Sequence, residues 1–248
     1  MADSGKGKTM RIAMMVIRKI LIVPYVFFRL WWESKHYNGD YTKGFERAKI
    51  IARHGINAGN ITLEVYGQEN VPKEDGFIYY PNHQGLFDVL TFYVSSPKPF
   101  AVVIKKEAKD IILLKQALEA TGSLAMDRED IRQSMQVINQ VAKEVKEGRN
   151  YIIFAEGTRS RNGNNLLEFK GGSFKAAQKA KCPIVPCALI DSFVPFDENS
   201  VRKVTVKLIY LPPMYYEEYK DMKSNEIAEE VKRRIESAIA EYGSSNRV

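Results

Sequence analysis

From Ile61 onward the chain alternates short apolar runs with amphipathic stretches, and this alternation restricts the fold more than any other feature. Ile61 to Tyr66, Phe77 to Tyr80, Phe100 to Ile104, Ser123 to Met126, Tyr151 to Phe154, Pro183 to Ile190 and Val204 to Ile209 read as strands. Between them, Glu107 to Ala120, Asp130 to Glu147 and Gly172 to Ala180 read as helices, and Asn225 to Tyr242 closes the chain as another, with Ser224 as its N-cap. The helix after Asp130 is expected to bury Ile131, Met135, Ile138, Ala142 and Val145. Strands alternating with helices predict an α/β fold with a mixed, mostly parallel sheet flanked by helices. The chain divides into an N-terminal helical segment, residues 1 to 58, and an α/β domain, residues 59 to 248.

The N-terminal segment has its own character. Residues 1 to 9 are polar and are expected to be disordered. Ile12 to Trp32 is rich in Ile, Val, Met, Phe and Trp, but Arg18 and Lys19 lie inside it, Pro24 interrupts it and Arg29 stands near its end. A central Arg or Lys costs about 2.5–3.5 kcal/mol to insert into a bilayer, while an apolar residue returns only about 0.3–0.6. This balance favours a helix lying in the membrane interface, with basic residues at the headgroups and Trp31 and Trp32 as anchors. Tyr41 to Ile56 reads as a second, basic helix with Phe45, Ala48, Lys49 and Ala52 on one face. A net charge of +7 favours anionic partners, an acidic lipid surface or an acidic carrier among them. Zinc-finger, helix-turn-helix and RNP signatures are missing, so no nucleic acid is expected as a partner. Cys182 and Cys187 read as core residues. Three histidines without a Cys/His cluster predict no metal site.

The chemistry concentrates at strand ends. Phe77 to Tyr80 runs into Pro81, which ends the ladder for want of an N–H. Asn82, His83 and Gly85 then form a turn. His83 and Asp88 are five positions apart, which on one continuous helix would set them about 140° apart. They face each other only if the chain turns between them, as Gly85 permits. The Asp88 carboxylate would then accept one ring N–H of His83 and leave the other nitrogen to take a substrate proton. Glu156-Gly-Thr-Arg159 leaves the next buried strand. Arg159 could grip a phosphate, Thr158 and the Gly157 N–H could add hydrogen bonds, and Glu156 could hold a hydroxyl or brace an arginine. Asp127 and Arg128 end another strand, and Lys105 and Lys106 a third. The prolines of Cys182-Pro-Ile-Val-Pro-Cys187 are expected to shape a strand entry and to line an apolar pocket.

Taken together, Asn82-His83-x-x-x-x-Asp88, the block from Gly122 to Arg128, Glu156-Gly-Thr-Arg159 and Val185-Pro186 resemble the four ordered motifs of the glycerolipid acyltransferases. The particular likeness is to the 1-acylglycerol-3-phosphate (lysophosphatidate) acyltransferases, over roughly Ile61 to Ile190. The block at Gly122 departs from the family's usual Phe-Ile-Asp-Arg in its apolar part and keeps Arg128; Lys105-Lys-Glu107 looks like the lysine-bearing segment of bacterial members. The resemblance implies transfer of a fatty acyl group from an acyl carrier protein or coenzyme A thioester to the 2-hydroxyl of lysophosphatidate, with no further cofactor, at the cytoplasmic face of a membrane. His83 would be the general base, oriented by Asp88. Lys105, Arg128, Glu156, Gly157, Thr158 and Arg159 would hold the acceptor. No G-x-S-x-G elbow accompanies these motifs, which favours direct transfer over an acyl-enzyme. Backbone N–H groups near Gly85 or Gly157 are candidate oxyanion donors. Other acceptors (glycerol-3-phosphate, another lysophospholipid), a thioesterase and a basic membrane-surface module are the alternatives.

Overall fold

The computed structural model describes residues 10–106 and 114–243. The tail at residues 1 to 9 and the first half of the helix expected from Glu107 lie outside them. Three helices come first: α1 (Met10–Arg18), α2 (Val23–Lys35) and α3 (Thr42–Ala58). Then follow β1 (Ile61–Tyr66), β2 (Ile78–Pro81), α4 (Phe87–Ser95), β3 (Ala101–Lys105), α5 (Leu114–Ala120), β4 (Leu124–Met126), α6 (Ile131–Lys146) and β5 (Tyr151–Ile153). The chain continues through α7 (Gly171–Ala180), β6 (Ile184–Ile190), α8 (Val194–Asp197), β7 (Val204–Tyr210), α9 (Tyr216–Tyr219) and α10 (Ser224–Gly243).

The strands form one seven-stranded sheet in the order β1-β7-β6-β2-β5-β3-β4. From β6 to β4 every neighbouring pair is parallel, β7 runs antiparallel to β6, and β1 is parallel to β7. The mostly parallel α/β architecture expected from the sequence is therefore the one observed. Strand alternation divides the core between two faces. Ile78 and Tyr80 of β2 join Val141, Phe174 and Val231 from α6, α7 and α10 on one face. Phe77 and Tyr79 face the other way and pack with Leu30, Phe45, Phe92 and Leu118 from α2 to α5. Leu30 and Phe45 thus share a core with the sheet, although they precede the boundary drawn at residue 58. All seven residues of β6 are buried, as a strand covered on both faces requires.

Three local expectations change. The apolar stretch from Ile12 to Trp32 is broken at residues 19–22, where Pro24 takes a first-turn position of α2 and its missing N–H costs nothing. No helix among the described residues is long and apolar enough to cross a membrane. The two arginines of α1 turn toward protein: Arg11 donates to the carbonyls of Gly59 and Arg202, and Arg18 to the carbonyl of Ala58 and to Asn60 Oδ1. They supply donors at the C-terminal end of α3, where carbonyls lack helical partners. Finally, α6 buries Val137, Ile138, Val141, Ala142 and Val145 but leaves Ile131 and Met135 exposed. Its first turns follow β4, an edge strand of three residues with little surface to cover.

Candidate active site

The parallel strands β6, β2, β5, β3 and β4 all end at one edge of the sheet. From β2 the chain proceeds toward β3 on one side, whereas from β5 it passes to β6 on the other. The crevice beyond β2 is thus a topological switch point, the usual ligand position in such sheets.

Pro81 is the last residue of β2 and still sits in register with Cys187. Where its ladder fails, a side chain takes over. The buried Asn82 amide donates to the carbonyl of Leu189 (3.0 Å) and accepts the Leu189 N–H (2.7 Å), which extends the pairing with β6 by one residue. The chain then turns around the Asp88 carboxylate. Oδ2 accepts the N–H groups of Gln84 (2.7 Å) and Gly85 (3.0 Å) and the Nδ1–H of His83 (2.7 Å), and Oδ1 accepts the Ser192 hydroxyl (2.6 Å). Asp88 is fully buried in the first turn of α4, and these four donors replace its water. The carboxylate makes the turn; Gly85 has no positive φ. The His83 side chain is 19% exposed, lies against Phe154 with ring centroids 4.2 Å apart, and has no partner for Nε2 among the described residues. A neutral imidazole held with Nδ1–H toward a carboxylate keeps Nε2 as the acceptor.

Glu156 has a different task from the one expected. It is buried, with Oε1 accepting the main-chain N–H of His83 (2.7 Å) and Oε2 that of Leu167 (3.0 Å). Burial raises its carboxyl above the usual carboxylate range, against the pull of those two donors. The carbonyl of His83 accepts the Ser160 N–H (2.9 Å), so both peptide groups of His83 are fixed by the loop after β5. The two candidate oxyanion donors are also engaged, Gly85 N–H by Asp88 and Gly157 N–H by the carbonyl of Phe154. Gly157 has φ +76°, a conformation suited to glycine, with Lys170 against it.

Of the phosphate-binding candidates, Thr158 is exposed and Arg159 is partly exposed, 3.9 Å from Asp197. Lys105 ends β3 and Arg128 follows β4, two and three strands from β2. At about 4.8 Å per strand their backbones stand about 10 and 14 Å along the edge. Neither follows β2 directly, so neither belongs to the turn that carries His83. Lys106 pairs with Asp127 at 3.4 Å.

A cavity of about 540 Å³ opens beside the turn. Val16, Val23 and Val26 of α1 and α2, Ala48 and Ala52 of α3, and Leu90 of α4 give it apolar walls, and Arg159 and Asp197 line it as well. The prolines between Cys182 and Cys187 do not line this cavity; Pro186 is paired with Tyr80 in the sheet. Sequence reasoning missed Gln84, Asn164 and Ser192. They sit in three loops separated in the chain, and only the strand order brings them together.

A family model described as Acyltransferase matches residues 62–190. The chain is 34% identical over 165 residues to a 1-acyl-sn-glycerol-3-phosphate acyltransferase of Salmonella typhimurium, covering 66% of this chain and 67% of the relative. It is 30% identical over 155 residues to one of Helicobacter pylori, covering 58% and 65%. The matches thus span about two thirds of these relatives' lengths. The fold is that of the 1-acyl-sn-glycerophosphate (LPA) acyltransferase, PlsC, from Thermotoga maritima, with a TM-score of 0.68 at 21% identity over 92% of this chain and 98% of that one. With its paired His83 and Asp88 at the switch point of the sheet, this chain belongs to the acyltransferase family.

Proposed function

We propose that the chain transfers a fatty acyl group from an acyl carrier protein or coenzyme A thioester to the 2-hydroxyl of 1-acylglycerol-3-phosphate, forming phosphatidate. The observation that carries this reading is the His83–Asp88 pair, in which Nδ1 is held by the carboxylate and Nε2 has no partner among the described residues. Nε2 takes the proton of the 2-hydroxyl as its oxygen attacks the thioester carbonyl. Collapse of the tetrahedral intermediate breaks the C–S bond, and the proton passes from the imidazolium to the departing thiolate. A positioned base contributes roughly 10²–10⁴-fold. Arg159, with Thr158, Lys105 and Arg128 along the same edge, serves the phosphate. The cavity between α1, α2, α3 and α4 has a size suited to one acyl chain.

The acceptor and product of this reaction reside in a bilayer. On this reading α1 and α2 dock to the cytoplasmic membrane surface through Ile17, Ile20, Leu21, Tyr25, Phe28 and Trp32, all exposed, with Leu21 at 91%. The positive net charge favours an anionic surface.

The test is incubation in mixed micelles with lysophosphatidate and an acyl thioester, with His83→Ala in parallel. Phosphatidate made by the wild type and lost in the variant supports reaction and base together. Free fatty acid and thiol without phosphatidate would make the enzyme a thioesterase, and turnover confined to glycerol-3-phosphate would change the acceptor.

A further inference from the structure

The Asp88 carboxylate is loaded unevenly. Three donors crowd Oδ2, all from the turn at residues 83 to 85, while Oδ1 receives the hydroxyl of Ser192. The end torsion of an aspartate is broad, so three bonds to a single oxygen leave the plane of the carboxylate poorly defined. A bond to the second oxygen sets that plane and, with it, the line along which His83 Nδ1–H points. Ser192 is fully buried just beyond β6 and touches no solvent, so it cannot meet substrate.

Its own position is held by a closed chain of hydrogen bonds. The Ser192 N–H donates to Gln84 Oε1 (2.7 Å), and Gln84 Nε2 donates to Asn164 Oδ1 (2.7 Å). Asn164 Oδ1 also accepts the Asp191 N–H (2.9 Å), and Asn164 Nδ2 donates to Asp191 Oδ1 (2.8 Å). Asp191 adopts φ +58°, a left-handed conformation uncommon outside glycine, and it turns the chain directly before Ser192. The loops after β2, β5 and β6 are therefore tied together, with the Ser192 hydroxyl aimed at the carboxylate.

We infer that Ser192 is a positioning residue for general-base catalysis, acting through Asp88 on the orientation of His83. The inference rests on the proposed reaction, in which His83 is the base. Removing the hydroxyl leaves Oδ1 with no donor among the described residues, in a site closed to water, and frees the carboxylate to rotate. Hydrogen bonds to charged groups are among the stronger ones, which sets the expected loss at roughly ten- to a hundred-fold.

The experiment compares Ser192→Ala and Ser192→Thr, each in the wild-type and the His83→Ala backgrounds, with the His83 Nδ1–H proton followed by NMR. Ser192→Ala is expected to lower kcat roughly ten- to a hundred-fold with both KM values within about two-fold, and Ser192→Thr to recover most of the loss. In the His83→Ala background the same change should cost nothing further, since the two act as one unit. The Nδ1–H resonance should shift in Ser192→Ala and return in Ser192→Thr. Should Ser192→Ala fail to fold, Ser192→Cys, similar in shape with a weaker donor, takes its place.

An undiminished kcat in Ser192→Ala, beside a His83→Ala enzyme slowed roughly 10²–10⁴-fold to a residual but measurable rate, overturns the inference and leaves the proposed reaction standing. An equal loss in both backgrounds does the same. A wild-type chain that makes no phosphatidate would remove the proposed reaction instead. The resonance then decides alone: a shift in Ser192→Ala upholds the coupling, and an unmoved signal ends it.

Discussion

Glu156 grips His83 by its peptide N–H, at 2.7 Å, and makes no bond to the imidazole. The carboxylate lies in the loop after β5 and the histidine in the turn after β2, so a contact between adjacent strands sets where the ring begins, while Asp88 sets where it points. Glu156→Ala should leave two buried N–H groups unpaired, costing about 1–3 kcal/mol each. Urea unfolding should show the loss of stability, and kcat should fall at least ten-fold as the turn relaxes.

The same burial has a pH signature. Because the folded-state carboxyl of Glu156 is raised, its contribution to stability is full at low pH and is lost as pH rises through the raised value, where charge must form in a dry site. Glu156→Gln cannot ionise. The stability of wild type relative to Glu156→Gln is therefore expected to decline as pH rises from below the ordinary carboxylate range through the raised value. A pH-independent difference between their unfolding curves would contradict this account.

Arg159 lies in the same loop as Glu156, with the Asp197 carboxylate 3.9 Å away, and on the proposed reaction it serves the phosphate. Arg159→Ala is expected to raise the KM for lysophosphatidate by ten-fold or more and the thioester KM by less than three-fold. Initial rates with each substrate varied in turn check this. An effect confined to the thioester would reassign the loop to the donor.

Ala52, buried on α3, gives a small side chain to the wall of the large cavity. Ala52→Leu should reduce kcat/KM for long-chain thioesters several-fold more than for short ones, because added methylenes occupy space that the longer chain needs. Overpacking costs about 1–3 kcal/mol, visible as a lower Tm. A panel of thioesters of increasing chain length separates the two effects.

Leu21 occupies the corner between α1 and α2 and is 91% exposed. On the proposed docking, the double substitution Ile17→Glu and Leu21→Glu should cut co-sedimentation with anionic vesicles at least ten-fold, since each charge must be removed from the interface. Unaltered sedimentation would place the membrane contact elsewhere.

Much of this was legible in the sequence because it is local. The apolar run Ile184 to Ile190 and the punctuation by Pro81 and Gly148 reflect periodicity and backbone chemistry, which act over a few residues. The pairing of His83 with Asp88 was also legible, since five positions and a turn leave few arrangements. The role of Glu156 was not, because a carboxylate after a strand looks the same whether it meets a ligand or a neighbouring peptide. Only the adjacency of β2 and β5 decides that. Arg18 was read as a headgroup ligand because its partners, Ala58 and Asn60, stand forty and more positions away. Ser192 carried no signal at all: one hydroxyl in a polar turn acquires meaning only from the 104 positions of chain that the fold closes between it and Asp88.

The reversal of β7 reaches beyond the sheet diagram. Since β7 and β1 run against their five companions, their beginnings, not their ends, arrive at the rim that carries His83. Arg11 is bolted to that rim through Gly59 and Arg202, and Arg18 through Ala58 and Asn60. The imidazole and α1 are thus two points on one rigid gauge. Whatever plane the helix comes to lie in, the altitude of His83 above it is set by the fold and not by chance encounter.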